Sequence, residues 1–585
     1  MTRGVRFVLV FIGLAVVVSI VGLGAMFVVM ARGPAVPSTA TLVLRPGGEI
    51  QEVVPDDVFG LLGGRSTSTV RGFVEGLAKA KRDPRIRTVL LMPSSLSLPY
   101  WGKVQELRDA IVDFKKSKKQ VVAFLEYGGD REYYLASAAD KVYLLPTSSL
   151  DLTGVASYEM FLRGALDKVA AVPDFVHVGE YKTAVNQYTE KGYTPAHREM
   201  SESLNRDMYD QLVRGIADSR KKTEQDVRAL IDQGPFTPED ALRHGFVDEL
   251  AYEDQLDDRV PELRSGSREV RRIEGSDYQR IRAQSLGFRP RSRIAVIYAV
   301  GTIVSGRSGF DPINGAVVGS ETLVEQIRDV RDDDSVKAIV LRIDSPGGSS
   351  VASDVIWREL MITRDQKPSR PLIASMSDLA ASGGYYISMP AQVIVAQPAT
   401  LTGSIGVYSG KVALGGTLNK IGVGTGTVKD GANADIYSPF APFSPEQRAR
   451  LQDHIQGFYE NFVEKAAESR KTTPEQIDRV AQGRVWTGRQ ARENGLVDAL
   501  GGLDTAVRIA KERAGIPAGE DVELVAYPRR RSFYEVLSEQ FGGGANLWTV
   551  LGGRAEQRAV SALTAPVRLF RRGEPLALMP FTFVR

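Results

Sequence analysis

The sequence predicts an α/β protein written twice in tandem behind a membrane-spanning segment, and three observations carry that prediction. An uncharged apolar run opens the chain, landmarks recur at an offset near 250 residues, and β-branched runs alternate with helix-start and helix-stop signals. At 585 residues the chain exceeds one ordinary domain. Its hydrophobic fraction of 43% and charged fraction of 25% are those of a globular protein with ample core.

The first element is the run from Phe7 to Ala31, FVLVFIGLAVVVSIVGLGAMFVVMA. At about 1.5 Å per residue its 25 residues cover the hydrocarbon core of a bilayer. A cleaved signal peptide has a shorter apolar core followed by a small-x-small site, so this run reads as an uncleaved anchor. Arg3 and Arg6 precede it against Arg32 alone after it, which orients the body outside the cytoplasm. Gly33 to Ser38 reads as a stalk and closes an anchor segment over 1–38. The expected location is the cytoplasmic (inner) membrane, single-pass, with the body on the periplasmic side.

Residues 39–263 form the first copy and 293–525 the second. DPRIRTVLL from Asp83 matches DDSVKAIVL from Asp333, each an apolar β-branched run after an acidic turn, and both predict buried strands. REYYLASAADKVYLLP from Arg131 matches GGYYISMPAQVIVAQP from Gly383, a short helix leading to a strand. FTPEDALRHGFVDEL from Phe236 matches VWTGRQARENGLVDAL from Val485, a helix capped by Thr and ended at Gly245 or Gly495. Between the copies, the basic and polar segment 264–292 reads as a linker. After them, 526–585 reads as a basic tail outside the repeat, with RRR at Arg529 and RR at Arg571.

Composition removes several function classes. The net charge is +3, with no basic face interleaved with aromatics, so no nucleic-acid partner is expected. There are no cysteines, which excludes disulfides, thiol catalysis and thiolate metal sites. The four histidines, at 177, 197, 244 and 454, form no metal-ligand spacing. Neither a metal nor a cofactor is expected.

What remains is a serine in an unusual setting. In DLAASGGYYIS, Ser382 has two alanines before it and two glycines after it, which leaves its hydroxyl uncrowded and the neighbouring N–H groups open, as at a strand-to-helix nucleophile turn. The structural alternative is a helix N-cap. After its first core strand the second copy reads DSPGGS, Asp344 to Ser349, whose glycines let backbone N–H groups face an oxygen. The first copy has SSLSL there, Asp130 at the serine position, and Arg131 and Glu132 in place of Gly383 and Gly384. A nucleophile and its oxyanion loop lost together is one functional loss. A serine at neutral pH needs a base, and no histidine falls near either loop. A lysine serves if burial lowers its pKa from about 10.4 to about 7–8. Lys182 in VGEYKTA and Lys429 in GTVKD, at the matching point of the second copy, are the two candidates.

DSPGGS and AASGGYYIS followed by LTGSIG, with GEYKTA in an earlier degenerate copy, resemble the long, duplicated form of the signal peptide peptidase A (protease IV) family. The resemblance spans nearly the whole chain. It implies the Clp-protease/crotonase-like fold, assembly as a membrane-anchored homo-oligomeric bowl, a tetramer, and a Ser–Lys dyad divided between the copies. On that match Ser382 is the nucleophile, Lys182 the general base, and Ser404 of LTGSIG the serine that orients the lysine. Gly383 and Gly347 supply the oxyanion hole, and Lys429 is the alternative base. The implied activity is endopeptidase cleavage of signal-peptide remnants and similar apolar peptides at the membrane. Two other readings compete with it. A crotonase-class acyl-CoA enzyme shares the fold but uses a carboxylate base and cytosolic CoA. A non-catalytic membrane scaffold fits the first copy but leaves the second copy's constellation unexplained.

Overall fold

The computed structural model describes residues 36–53, 69–260, 263–265, 268–269, 271–311, 315–528, 575–579 and 583–584, with residues 18 and 22 besides. The run expected to span a membrane otherwise lies outside the described residues. Among those described, no helix is long and apolar enough to cross a membrane.

Each copy builds a sheet from its apolar runs, parallel throughout in the first and parallel but for the antiparallel edge strand Val485–Thr487 in the second. The first has the order Glu249–Leu250, Lys141–Leu144, Gln120–Leu125, Ile86–Leu91, Ala40–Leu44, Arg271–Glu274. The second runs Val485–Thr487, Leu401–Gly403, Leu372–Ala381, Val336–Ser345, Ser292–Val300, Val522–Tyr527, with Val393–Ala396 also paired to Leu372–Ala381. Every residue of Leu372–Ala381 is buried, which explains why these strands read as continuous apolar runs and not as alternating ones. The duplication extends to the helices. Pro195–Arg220 and Pro445–Arg470 each open on a hydroxyl cap, Thr194 or Ser444, followed by proline, and each close on a left-handed lysine, Lys221 or Lys471.

Two stretches differ from expectation. The segment expected as a linker contributes Arg271–Glu274 as the edge strand beside Ala40–Leu44, and Tyr278 behind it is buried with its hydroxyl donating to Asp83 (3.0 Å). An edge strand buries one face only, so its single inward Ile273 sits among charged neighbours and the sequence reads as polar. The tail begins with the last residues of Val522–Tyr527, the edge strand of the second sheet, and near its end Leu576–Leu578 enters a third sheet.

That third sheet joins the copies. Val172–Val178 of the first copy pairs antiparallel with Val407–Ala413 of the second, from Val172 opposite Ala413 to Val178 opposite Val407. The cores interdigitate as well: Val176 and Val178 pack into the second copy's core, while Leu379, Ala381 and Leu401 pack into the first's. Between them lies a buried ion cluster. Arg342, fully buried, donates to Glu52 (2.8 and 2.9 Å) and Glu106 (2.7 Å) of the first copy and to Ser375 and Ser377 of its own. Burial pushes the Glu52 carboxyl up, but the Arg342 charge and hydrogen bonds, with Lys103, hold it below the ordinary carboxylate range.

Removing one member of such a cluster strands the rest in a low-dielectric interior. Arg342→Met is therefore expected to cost about 3–5 kcal/mol of unfolding free energy in denaturant titrations. Adding Glu52→Gln and Glu106→Gln to that variant should recover part of the loss.

Candidate active site

Ser382 sits between the strand Leu372–Ala381 and the helix Gly383–Ser388, with φ 55° and ψ −111°. A non-glycine residue in that region is strained, and here the strain turns the side chain out of the strand-to-helix corner. The corner is held by Ser382 N–H donating to Gly403 O (2.7 Å) and by Tyr386 N–H donating to Ser382 O (2.8 Å). The hydroxyl makes no capping bond to the helix, so the N-cap explanation has no contact behind it.

The interdomain strand delivers the lysine. Beyond Val178 the chain turns, Tyr181 N–H donates to Gln482 O (2.8 Å), and Lys182 points into the second copy, fully buried. The approach is close: a Cβ on Gly483, whose φ is +79°, would lie 2.4 Å from Lys182 N. Lys182 Nζ is 2.8 Å from Ser382 Oγ, 3.1 Å from Ser404 Oγ and 3.1 Å from Ser404 O. Burial alone pushes its pKa well below the ordinary lysine value, since no carboxylate contributes. A neutral amine has two N–H donors and one lone pair. The two oxygens of Ser404 take the donors, which leaves the lone pair facing the Ser382 hydroxyl.

The glycine loop lies beside this pair, and the chain's own tail lies on it. Leu576–Leu578 is antiparallel to Gly347–Ser349, with Gly347 opposite Leu578 and Ser349 opposite Leu576, and Leu576 is paired with Tyr408 on its other side. Met579 N–H donates to Pro346 O (2.9 Å) and Ser350 N–H to Pro575 O (3.3 Å). By the alternation of an antiparallel ladder, Gly348 and Ala577 hold the bonded position between them, which aims Gly348 N–H at the Ala577 carbonyl. A Cβ on Gly347 would lie 2.0 Å from that carbonyl oxygen and 2.7 Å from Gly383 N. The tail strand thus lies along the glycine loop that neighbours Gly383. Leu576 and Leu578 pack on Phe175, Ala184 and Val185 of the first copy and Tyr408 of the second.

Of the residues read from the sequence, Ser382, Lys182, Ser404 and Gly383 come together. Gly347 is adjacent, with its N–H donating to Ser345 Oγ (3.2 Å), while Gly348, one residue on, turns its N–H toward the tail strand. Lys429 is elsewhere: its side chain is 41% exposed, and its ammonium is bonded to Asp435 (2.8 Å) and Ala432 O. No strand carries that loop inward as Val172–Val178 carries Lys182. None of the four histidines is bonded to Ser382 or Lys182; His197 pairs with Glu159 (2.7 Å). In the first copy the corresponding crevice is filled by its own carboxylates. Asp130 accepts from the N–H groups of Thr153 and Gly154, and Glu132 from Leu96 N–H (2.6 Å). Gly483 and the tail strand escaped the sequence reading, although the apolar LALM after Pro575 was there to be seen.

A serine backed by a buried amine and facing backbone donors defines a class, the serine peptidases that work without histidine. Peptidase family S49 matches residues 113–265 and 364–517, one match in each copy, and the chain belongs to that family. It is 37% identical over 470 residues to "Serine protease SPPA, chloroplastic" of Arabidopsis thaliana, covering 79% of this chain and 68% of that protein. It is also 37% identical to "Protease 4" of Salmonella typhi, covering 75% of this chain and 71% of the relative. Among solved structures, ClpP1 from Listeria monocytogenes is similar at 16% identity over 37% of this chain and 94% of that one, with a TM-score of 0.22. The protein is a serine peptidase of the S49 family.

The sign of the pH dependence is set by the buried amine. Below the ordinary lysine pKa the unfolded chain holds a proton on Lys182 that the folded chain, down to its depressed pKa, does not. Stability therefore rises with pH through that window. Lys182→Met is expected to lose activity by orders of magnitude yet melt above the parent at neutral pH, with the gap narrowing as pH approaches the ordinary lysine value. Lys429→Ala should leave activity in place. Calorimetry across pH beside peptide-ester hydrolysis measures both.

Proposed function

We propose that the chain is an endopeptidase in which Ser382 is the nucleophile and Lys182 the general base, acting on apolar peptides such as signal-peptide remnants. The observation that carries this reading is the 2.8 Å contact between Ser382 Oγ and a fully buried Lys182 Nζ. Ser382 Oγ attacks the peptide carbonyl carbon as its proton passes to Lys182 Nζ. The oxyanion accepts from Gly383 N–H and Gly348 N–H, fixed dipoles that need no reorganisation as charge develops. Collapse expels the amine, which takes the proton from Lys182. Water then attacks the acyl-enzyme by the same route and frees Ser382.

The substrate adds as an extended strand between Gly347–Ser349 and Val407–Ala413, where the tail strand now lies, so backbone bonds supply affinity and alternate side chains selectivity. Apolar side chains at alternate positions fit the surface that Leu576 and Leu578 cover. The uncharged run Phe7 to Ala31 supports a single-pass anchor holding the body outside the cytoplasm, close to membrane-derived peptides. The family resemblance supports a homo-oligomer, a tetramer.

A fluorophosphonate probe is expected to label Ser382 and to leave Ser382→Ala unlabelled, with the variant's thermal melt unchanged because the corner's neighbours are small. Full peptidase activity in Ser382→Ala would end the nucleophile assignment. Because the tail occupies the strand-addition site, removing residues 575–585 should lower KM for an apolar peptide several-fold, and a synthetic peptide of the sequence PLALM should inhibit the truncated protein competitively.

A further inference from the structure

The strand that ends at Ser382 is not regular. Val336–Ser345 and Leu372–Ala381 pair Ile343 with Met376 and then Ser345 with Ala380, so Asp344 alone stands opposite Ser377, Asp378 and Leu379. A bulge of this kind re-aims the residues beyond it. On one strand those residues lead to the nucleophile, and on the other to the glycine loop. The bulge is held largely by the first copy. Lys103, in the first turn of the helix Gly102–Lys115, puts Nζ 2.7 Å from Asp344 Oδ2 and 3.7 Å from Asp378 Oδ2, and its N–H donates to Asp378 Oδ1 (2.8 Å). Asp344 Oδ1 accepts from Leu379 N–H (3.2 Å), which ties the bulge back across the sheet. Gly102 packs so closely that a Cβ there would lie 2.8 Å from Ser377 O. All three charged groups are nearly buried, with side-chain exposures of 11%, 11% and 3% for Lys103, Asp344 and Asp378.

Two carboxylates this close repel each other unless a cation stands between them. Burial pushes Asp378 up to about 6, with Lys103 opposing the rise and Asp344 adding to it. Lys103 itself is held above the ordinary lysine value by Asp344 and Asp378 against the cost of its own burial. In the repeat register Lys103 corresponds to Ser353 of the second copy, which lies 2.7 Å from the Cβ position of Gly383 at the active corner. The second copy therefore carries no cation of its own at the matching place. The helix start that serves the second copy's own loop has, in the first copy, been turned against its neighbour's bulge.

We propose that Lys103 is a positioning residue for the peptidase: by bridging Asp344 and Asp378 across the bulge, it sets the spacing between the Gly347–Gly348 loop and Ser382. The proposal rests on Ser382 being the nucleophile. Lys103 touches neither substrate nor the reacting atoms, and it acts through the two strands that carry them. A misplacement of about 1 Å at the reacting atoms costs about 100-fold in rate, so a loosened clamp should appear in chemistry before it appears in binding.

The test uses the full chain and fluorophosphonate titration, which counts competent sites and times their reaction separately. In Lys103→Met, kcat and the phosphonylation rate per titrated site are expected to fall together by about 10- to 100-fold, with KM within about twofold of the parent. Lys103→Arg, which keeps the charge, should restore most of the rate. Should Lys103→Met fold poorly, the double variant Lys103→Met/Asp378→Asn removes one of the two stranded carboxylates and with it their repulsion, and its melt should recover in part while its rate per site stays low. Titrated sites reacting at the parental rate in Lys103→Met or in the double variant would overturn the proposal, because a merely structural lysine changes how many sites form and not how fast each reacts. A parent chain labelled at residues other than Ser382 would instead overturn the nucleophile reading beneath it.

Discussion

An amine without a counter-ion has to be kept dry, and much of this structure can be understood as the means of doing so. Lys182 has no carboxylate beside it; its partners are three oxygens of two serines. Such a group is tolerated in the interior only as the free base, and only if every element around it fits closely enough to exclude water. Closeness here comes from glycine where backbone meets backbone, at Gly483 against Lys182 N, and from a seven-residue antiparallel pairing that fixes where Lys182 enters. The same burial that destabilises the cation makes the lone pair available well below the ordinary lysine pKa, so the energetic cost of the site and its basicity have one origin.

Dryness at that point is a property of the junction between copies. The two large sheets could in principle be separate domains, but the sheet that joins them is built from both, and so are the core clusters on either side. The ion cluster around Arg342 adds a different kind of constraint. Apolar packing tolerates a sliding interface, whereas Arg342 with Glu52, Glu106, Ser375 and Ser377 admits one register. A displacement that broke these bonds would leave buried charges unpaired, and a displacement at this interface is also a displacement of Lys182 from Ser382.

How much of this was legible in the sequence depended on whether a feature is local. The duplication, the buried strands and the serine corner are encoded in contiguous runs, and DSPGGS, AASGGYYIS and LTGSIG lie within 63 residues of one another on strands that are neighbours in the sheet. The choice between Lys182 and Lys429 was legible only through the surroundings of each lysine, because what separates them is whether a strand carries the loop inward, and strand pairing over more than 200 residues leaves no mark near either one. Gly347 and Gly348 look alike in sequence, while their N–H groups point to opposite sides of an extended strand, so which of them faces a substrate is a matter of pairing and not of composition. The edge strand Arg271–Glu274 hid behind its charges. The tail strand hid because a run of five residues at the far end of a basic stretch carries no periodicity to read.

Decay of the first copy therefore has two sides. Asp130 and Glu132 in place of a serine and a glycine fill the old crevice and satisfy backbone N–H groups that would otherwise be stranded. With its own chemistry closed, that region was free to change what its flanking helix does, and the start of Gly102–Lys115 now faces Ser377 and Asp378 of the neighbouring copy. The second copy's nucleophile strand bulges around paired carboxylates that no cation of its own neutralises, and its serine faces an amine that it does not supply. Each dependence alone would favour keeping the copies joined. Together they couple the fold of one copy to the reactivity of the other, so that the first copy, though it carries no nucleophile, cannot drift in position without taking the active site with it.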